Sequence, residues 1–426
     1  MIGLCTTIYK FEIMKKTINI FSSLLIGFVC IAGSAQACTT AIISGKFTRD
    51  GRPLLFKQRD TPELENKLAA FNDGKYPYIG LVNRKDSLGK AVWGGHNKAG
   101  FAIMNSASYN LNKKGSGTED GGCDGKIMKL ALQKCASLAD FEHLLDSLPK
   151  PLGTSSNFGV IDAKGGAAYY ETGNDTYKKY DANNRDDAPF GYLIRTNFSY
   201  SGDRSQDKGL ARYESAQELF SQASLNSSIS VDFLIDLTRY LKNGITKTNL
   251  VSLTPDNADR PVFAAFRDYI PRYLTASSII VQGVKENESP SQTVLWTILG
   301  SPLTTVAIPV WITSTLELPK ILVADKTGYA KLNEWSLALK KQLFPIERGE
   351  GSDYINLAAL ITKDKKGILQ NVLPIEKQII NQANTNLIKW RKEPASNDKE
   401  IIGFYNWVDK FVTQSYHESF NIPANL

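Results

Sequence analysis

Short apolar or alternating segments, separated by glycine, asparagine and aspartate, recur as far as residue 312, and this pattern predicts β-strands. The segments interpreted as strands are Thr39–Ile43, Pro53–Phe56, Tyr76–Val82, Ala91–Gly94, Phe101–Asn105, Asn157–Ile161, Ala167–Glu171, Thr176–Tyr180, Phe190–Asn197, Ser277–Gly283, Thr293–Leu299 and Val306–Ile312. Two pairs of helices interrupt them, at Ile127–Leu138 with Leu138–Leu148, and at Gly209–Ala223 with Val231–Leu241. This order predicts an α+β fold of two sheets with helices on their outer faces, rather than a doubly wound parallel sheet.

The pattern changes at both ends of the chain. After Gly328 it consists of long charged helical segments, Leu332–Phe344, Ile368–Glu393 and Lys399–Phe411. The first residues instead combine two lysines, an apolar run from Ile18 to Ile31 and the small-x-small site Ala35-Gln36-Ala37, which is typical of a secretory signal peptide. We therefore predict a signal peptide at residues 1–37, a layered domain at 38–327 and a helical C-terminal extension at 328–426.

Composition and charge narrow the functional classes. The formal net charge is +7 over 426 residues, without a basic stripe interleaved with aromatic residues, so nucleic-acid binding is not expected. After signal removal no apolar run has the length of a membrane span. We expect a secreted or periplasmic protein that uses no metal or cofactor and acts on a small molecule. The sequence leaves a homo-oligomer open.

Removal of the signal peptide leaves Cys38, Cys123 and Cys135, an odd number for an exported protein. A Cys123–Cys135 disulfide would leave Cys38 as the free thiol. The alternative is that Cys135, which falls within a helical pattern, is a small buried residue and forms no bridge.

A cut after Ala37 would make Cys38 the first residue, and an N-terminal cysteine carries its own catalytic base. Its α-amine has a pKa near ~8 and lies beside a polarisable thiol, so the thiol can be activated without a histidine. The three histidines, His96, His143 and His417, are therefore not required. Of these, His96 follows a predicted strand and is the one kept as a candidate site residue.

Thiolate attack on an amide creates a negative oxygen, which requires fixed hydrogen-bond donors. Asn105 and Asn197 each end a predicted apolar strand, and either is such a donor or simply a residue that forms a turn. Asp60 ends the strand that follows Cys38, and it either holds the α-ammonium or is a solvated turn residue.

Five motifs in order resemble the N-terminal-nucleophile (Ntn) linear-amide C–N hydrolases, which include penicillin V acylase, bile salt hydrolase and the acyl-coenzyme A:6-aminopenicillanic acid acyltransferase-like (peptidase C45) enzymes. They are Cys38-Thr-Thr-Ala-Ile-Ile-x-Gly with Phe56-Lys57-Gln58-Arg59-Asp60, Gly95-x-Asn97-x-x-Gly100-Phe101-Ala102-Ile103, Phe158-Gly-Val-Ile-Asp162 through Glu171, Arg195-Thr196-Asn197-Phe198 and Ala211-Arg212-Tyr213. The resemblance implies a four-layer αββα sandwich. It also implies roles for five residues: Cys38 as nucleophile and base, Asp60 orienting the amine, Asn105 and Asn197 at the oxyanion, and Arg212 in the polar network.

One position departs from the family pattern. Many relatives have Arg-Asn-x-Asp where this chain has Lys57-Gln58-Arg59-Asp60, so Lys57 occupies the arginine position. Lysine lacks the bidentate fork of arginine. Arg59 lies on the same side of a strand and is the alternative for this role.

The predicted function is an exported, cysteine-dependent hydrolase of linear amides such as penicillin V, bile-acid or fatty-acyl conjugates. Substrate choice is assigned to the glycine-rich Asn110–Gly125 loop, a candidate lid. An acyltransferase or a dipeptidase with the same nucleophile is an alternative. A surface lipoprotein lipidated at Cys38 is an alternative from another class, although Ala35 stands where a lipobox prefers leucine.

Overall fold

The computed structural model describes residues 37–112, 123–392 and 397–422. Of the predicted signal peptide only Ala37 is among them, and residues 113–122 of the predicted lid lie outside them. The strands are β1 Ala37–Ile43, β2 Leu54–Asp60, β3 Asn66–Phe71, β4 Tyr78–Asn83, β5 Gly94–Asn97, β6 Ala102–Ala107, β7 Ser156–Ile161, β8 Ala167–Thr172, β9 Tyr177–Asp181, β10 Tyr192–Arg195, β11 Phe263–Ala265, β12 Thr275–Gln282, β13 Val294–Leu299, β14 Ala307–Val310 and β15 Tyr354–Asn356. The helices are α1 Asp124–Lys134, α2 Leu138–Ser147, α3 Leu210–Leu225, α4 Val231–Leu237, α5 Lys331–Leu343, α6 Leu357–Leu360, α7 Ile368–Lys392 and α8 Asp398–Phe420.

Two antiparallel sheets form the centre of the protein. The first has the strand order β10-β1-β2-β12-β13-β14 and the second runs in chain order from β3 to β9, whereas β11 and β15 form a separate ribbon. All seven residues of β1 are buried, because β1 pairs with a strand on each side and is covered on both faces. The residue predicted to be the nucleophile therefore belongs to a central strand.

Helices cover the outer face of each sheet, which confirms the predicted α+β layered fold. On one side, α1 and α2 bury Met128 and Phe141 against Phe158 and Tyr170 of the seven-stranded sheet. On the other side, α3 contacts β10 and α4 contacts β12. The break between α1 and α2 is fixed by a capping box, in which Ser137 and Asp140 satisfy each other's backbone N–H groups.

The C-terminal helices continue this outer layer over β13 and β14, which α5 and α7 contact. A buried ion pair joins α7 to the segment after α4, because Arg239 donates to both carboxylate oxygens of Glu376 at 2.7 Å. Glu376 also accepts from the backbone N–H of Ala307 in β14. Gln36–Leu426 is one compact unit, and the boundary at residue 327 stays a prediction.

The structure corrects several element boundaries. The strand predicted at Ala91–Gly94 is found at Gly94–Asn97, and β3, β11 and β15 were not predicted. The last helix continues to Phe420, nine residues beyond its predicted end. β5 was misplaced because it begins with two glycines, which have low strand propensity. A Cβ atom on Gly95 would lie 2.0 Å from the carbonyl oxygen of Ile79 in β4, so the close strand pairing requires glycine there.

Candidate active site

Cys38 lies near the start of β1 and is 5% exposed. β10 pairs with β1 so that Thr40 is opposite Arg195, and continuation of this register brings Asn197 beside Cys38. The backbone N–H of Cys38 donates to Oδ1 of Asn197 at 3.2 Å. The two residues that the sequence placed at the centre of the site are thus in direct contact through the backbone nitrogen of Cys38.

Arg212 completes this contact from the first turn of α3. One terminal nitrogen donates to the Cys38 carbonyl and, at 3.0 Å, to the Thr39 hydroxyl, and the other donates to Asn197 Oδ1 at 2.6 Å. Burial lowers the pKa of Arg212 to about 10, so its guanidinium stays charged at neutral pH. Arg212 therefore fixes both the backbone of Cys38 and the amide orientation of Asn197.

The backbone before Arg212 has to leave room for its side chain. Gly209 precedes α3 with a φ of 79°, and a Cβ atom there would lie 2.5 Å from an Arg212 nitrogen. The loop that carries Asn197 is fixed by Glu171, which pairs with Arg195 at 2.7 Å and accepts from the N–H groups of Tyr200 and Ser201. Neither ionic side chain of this pair is exposed, so removal of one would leave the other as an uncompensated charge.

A second polar network crosses between the two sheets. Lys57 of β2 donates to the Trp93 carbonyl at 2.7 Å and to Asn105 Oδ1 at 2.6 Å. The Asn105 amide in turn donates to Asp124 at 2.8 Å and to Ser156 at 3.0 Å. Both protons of that amide are therefore engaged, and the predicted oxyanion role of Asn105 would require one of them to be released.

Burial dominates the electrostatics of this network. It lowers the pKa of Lys57 to about 8, an effect that Cys38 opposes, and Arg59 adds to the lowering whereas Asp124 opposes it. Burial raises the pKa of Asp124 to about 6, against hydrogen bonds from Thr154 and Ser156 and the charge of Lys57. Lys57 is thus a buried amino group whose charge interacts with Cys38.

Arg59 also lies beside Cys38, directly opposite it across β1 and β2. Its guanidinium stacks 4.7 Å from the centre of the Trp93 ring and donates to Asn66 Oδ1. Burial lowers the pKa of Arg59 to about 10, and Cys38 and Glu63 oppose this. Both residues proposed for the family arginine, Lys57 and Arg59, therefore interact electrostatically with Cys38.

Asp60 is buried at the end of β2, opposite Ala37. Its carboxylate accepts from Arg272 at 2.7 Å and from the Thr275 hydroxyl at 2.7 Å. In the described chain it makes no hydrogen bond to the Cys38 nitrogen, which is held by Asn197 instead. That Asp60 orients the amine stays a prediction.

Cys123 and Cys135 are both free thiols, so the described chain has no Cys123–Cys135 bridge. Cys135 is buried and ends α1. His96 is buried in β5, and no partner for either ring nitrogen exists within the described residues. Its cross-strand neighbours are the apolar Ile79 and Ala102, and no hydrogen bond among the described residues links it to Cys38.

Several residues near Cys38 were missed by sequence reasoning. Asp124 stands at the start of α1, after the glycine-rich loop. The only local feature that could have indicated it is that it is an acidic residue in the first turn of a helix. Arg272 is separated from its partner Asp60 by 212 positions, so no local pattern identifies it. Tyr109 is the third, since burial and then the neighbouring Cys38 raise its pKa.

A cleft of about 1280 Å³ does not contain Cys38. It is lined by residues around 45–53 and 284–288, at the opposite end of β1 and β2. A cleft of about 420 Å³ instead lies between the segment after Asp60 and helix α5. In the part of the chain that the structure describes, no cluster of side chains is suited to a metal ion, and no helix has the length and hydropathy to span a membrane.

Comparison with known proteins bears on these observations. Residues 50–256 match the family model of the acyl-coenzyme A:6-aminopenicillanic acid acyl-transferases. The family resemblance is confirmed. The match extends over just under half of the chain and supports an enzyme of the acylase or amidase type. No curated protein matches the sequence.

Solved structures of Ntn hydrolases are also similar to this chain. An N-acylethanolamine-hydrolyzing acid amidase ortholog from Caenorhabditis elegans has 14% identity and a TM-score of 0.38, covering 59% of this chain and 93% of its own. Penicillin V acylase from Agrobacterium tumefaciens has 12% identity and a TM-score of 0.38, covering 65% and 86%. A variant of conjugated bile acid hydrolase from Clostridium perfringens has 10% identity and a TM-score of 0.35, covering 65% and 92%. At these values the relationship rests on the family model.

Proposed function

We propose that this protein, once cut between Ala37 and Cys38 during export, hydrolyses linear amides with Cys38 as the nucleophile. The observation that carries the proposal is the placement of the Cys38 nitrogen, which hydrogen-bonds Asn197 Oδ1 while Arg212 holds the adjacent carbonyl. A nitrogen fixed in this way, freed by the cut, is an amine already oriented beside its own thiol.

The reaction starts with transfer of the thiol proton to the α-amine. The thiolate then forms a bond to the substrate carbonyl carbon, and the buried cations Lys57 and Arg59 stabilise the negative charge on sulfur. Asn197 lies beside Cys38, whose nitrogen donates to its Oδ1. Its NH2 group, which donates to the Ala107 carbonyl at 3.0 Å, is the proposed donor to the oxyanion.

Collapse of the tetrahedral intermediate breaks the C–N bond, and the α-ammonium gives its proton to the leaving amine. A thioester remains on Cys38. Water, deprotonated by the α-amine, adds to this thioester, and the carboxylic acid leaves with regeneration of the thiol. A second amine in place of water would complete an acyl transfer, and the match to an acyl-transferase family model favours this second candidate.

The test uses a chain that begins at Cys38, produced by removing a cleavable N-terminal tag. Wild type, Cys38→Ala and Cys38→Ser are assayed with phenylacetyl, phenoxyacetyl, fatty-acyl, bile-acid and dipeptide amides. We expect turnover of one of these classes by wild type, no turnover by Cys38→Ala, and an acyl adduct on intact protein when substrate is added to wild type and quenched with acid. Activity that survives Cys38→Ala refutes the mechanism.

Two controls separate the alternatives. A chain that retains one extra alanine before Cys38 keeps the thiol but blocks the amine, so we expect its activity to fall at least 100-fold, a typical contribution of a general base. An intact mass of the exported protein shows whether residue 38 is the free N-terminus. A diacylglyceryl adduct at Cys38 would refute the enzyme proposal and support a lipoprotein.

A further inference from the structure

The cleft of about 420 Å³ lies beside the segment that follows β2. One wall is the segment Pro62–Glu65, which directly follows Asp60. The other wall is formed by α5 of the C-terminal extension, together with Tyr273 and Phe344. Its volume is within the range of sites that bind small molecules.

Lys340 is a buried cation at this cleft. It is 3% exposed, its amino group donates to the Tyr273 carbonyl, and it lies 4.6 Å from the centre of the Tyr273 ring. Within the described chain no carboxylate is close enough to form an ion pair with it. A buried ammonium with one neutral acceptor has two further N–H donors, and such a group is costly to leave without an anion.

The two carboxylates at the cleft already have partners. Glu63 pairs with Lys85 at 3.3 Å and Glu65 pairs with Arg84 at 3.2 Å. The cleft therefore presents, at Lys340, an amino group without a carboxylate partner among the described residues, and the exposed Lys341 beside it adds positive charge. Burial lowers the pKa of Lys340 to about 7, and Asp60 opposes this effect.

Two connections tie the cleft to the candidate active site. Arg272, which holds the Asp60 carboxylate, directly precedes Tyr273 of the cleft wall. Asn333 of α5 accepts from the Asn66 N–H at 3.3 Å and donates to the Leu64 carbonyl at 3.2 Å. The C-terminal extension is thereby fixed against the segment that follows β2, and Lys340 is fixed with it.

The remaining surface of the cleft is apolar, with Leu64, Leu337 and Phe344 around the Tyr273 ring. A ligand that fits both the unpaired amino group of Lys340 and the apolar lining has a carboxylate next to a hydrophobic side chain. The amine that is released from an N-acyl amino acid or from a small peptide has this chemistry.

We propose that this cleft binds the amine half of the substrate, and that Lys340 donates hydrogen bonds to the carboxylate of an apolar amino acid there. The inference rests on the proposed function, because it names the leaving-group side of the same amide. It assigns to the C-terminal extension a role in substrate specificity, with Lys340 as a binding residue.

The kinetic test compares N-phenylacetyl-leucine with N-phenylacetyl-leucinamide, which has the same shape without the negative charge. In Lys340→Met we expect KM for the carboxylate to rise at least tenfold, in line with a hydrogen bond to a charged group, and KM for the carboxamide to change less than twofold. Lys340→Arg should retain the discrimination. Lys410→Met, on the exposed side of α8, is the control for net charge.

A binding measurement keeps this inference separable from the proposed function. Leucine and leucinamide are titrated by calorimetry into the Cys38→Ala chain, with and without Lys340→Met. Leucine binding that requires Lys340 supports the cleft even if no amide is turned over, in which case only the proposed function fails. Turnover with equal KM effects on both substrates, or leucine binding no tighter than leucinamide, overturns the inference. Should Lys340→Met not fold, Lys340→Gln retains a donor for the Tyr273 carbonyl.

Discussion

The acid stability of the protein should depend on His96, which is buried in β5. The ring is 2% exposed, and its cross-strand neighbours are Ile79 and Ala102. Burial lowers the pKa of His96 from 6.5 to about 4, and the nearby Asn97 backbone opposes this effect. The folded state therefore holds this imidazole neutral in a pH range where the unfolded chain protonates it.

The pH dependence of the free energy of unfolding that is due to His96 follows from proton linkage. Between pH 6.5 and 4 the unfolded state binds more protons than the folded state at this site, so stability falls as the pH falls. The contribution of His96 is fully present above pH 6.5 and lost by about pH 4. At 1.36 kcal/mol per pKa unit, the loss amounts to about 3 kcal/mol. Asp124 titrates in the opposite sense, because burial raises its pKa to about 6.

The assay therefore compares the free energy of unfolding of wild type with that of a His96 variant. The free energy of unfolding is measured by urea titration at pH 7, 5.5 and 4 for wild type and His96→Leu, so that Asp124 and all other groups cancel. We expect the variant to gain about 3 kcal/mol relative to wild type between pH 7 and pH 4. His143→Leu, at an exposed position of α2, should show no such change. A difference between wild type and His96→Leu that is constant with pH would refute the reasoning.

Three further predictions concern single side chains. Arg212→Met should lower kcat at least tenfold with little change in KM, because it removes charge-assisted hydrogen bonds that position Cys38, each worth about 1.5–3 kcal/mol; equal kcat values would contradict this. Arg239→Met should lower the free energy of unfolding by about 3–5 kcal/mol, since Glu376 is left as a buried unpaired charge, whereas the double variant with Glu376→Gln should recover part of the loss. Phe141→Ala, fully buried between α2 and the sheet, should cost about 3–5 kcal/mol in the same urea titration.

The sequence predicted the layered fold because the strands and helices alternate in an order that two sheets with outer helices accommodate. Cys38, Asn197 and Arg212 were found because each stands in a local motif, and the structure brings these three together around one oxygen, Asn197 Oδ1. Asn105 was also found, but its place in a network with Lys57 depends on contact between the two sheets, which no local motif encodes.

Residues that reach the site from distant segments could not be predicted. Arg272 and Lys340 have no periodicity or motif that marks them, and their positions depend on how β12 and α5 pack beside the end of β2. The strand β3 was missed for a different reason. It is an edge strand of composition Asn-Lys-Leu-Ala-Ala-Phe, with three half-buried residues, and this pattern resembles neither strict alternation nor an apolar run.

The burial of β1 has a consequence for the order of the proposed cleavage and of folding. The Ala37–Cys38 bond is part of this strand, is paired with Arg59 and Asp60, and has flanking residues that are 7% and 5% exposed. A peptidase needs an accessible, extended substrate, so the proposed cut has to precede the joining of β1 to its neighbours. A molecule that folds first would keep its amine locked in a peptide bond. The yield of active protein would then depend on the rate of cleavage relative to the rate of folding.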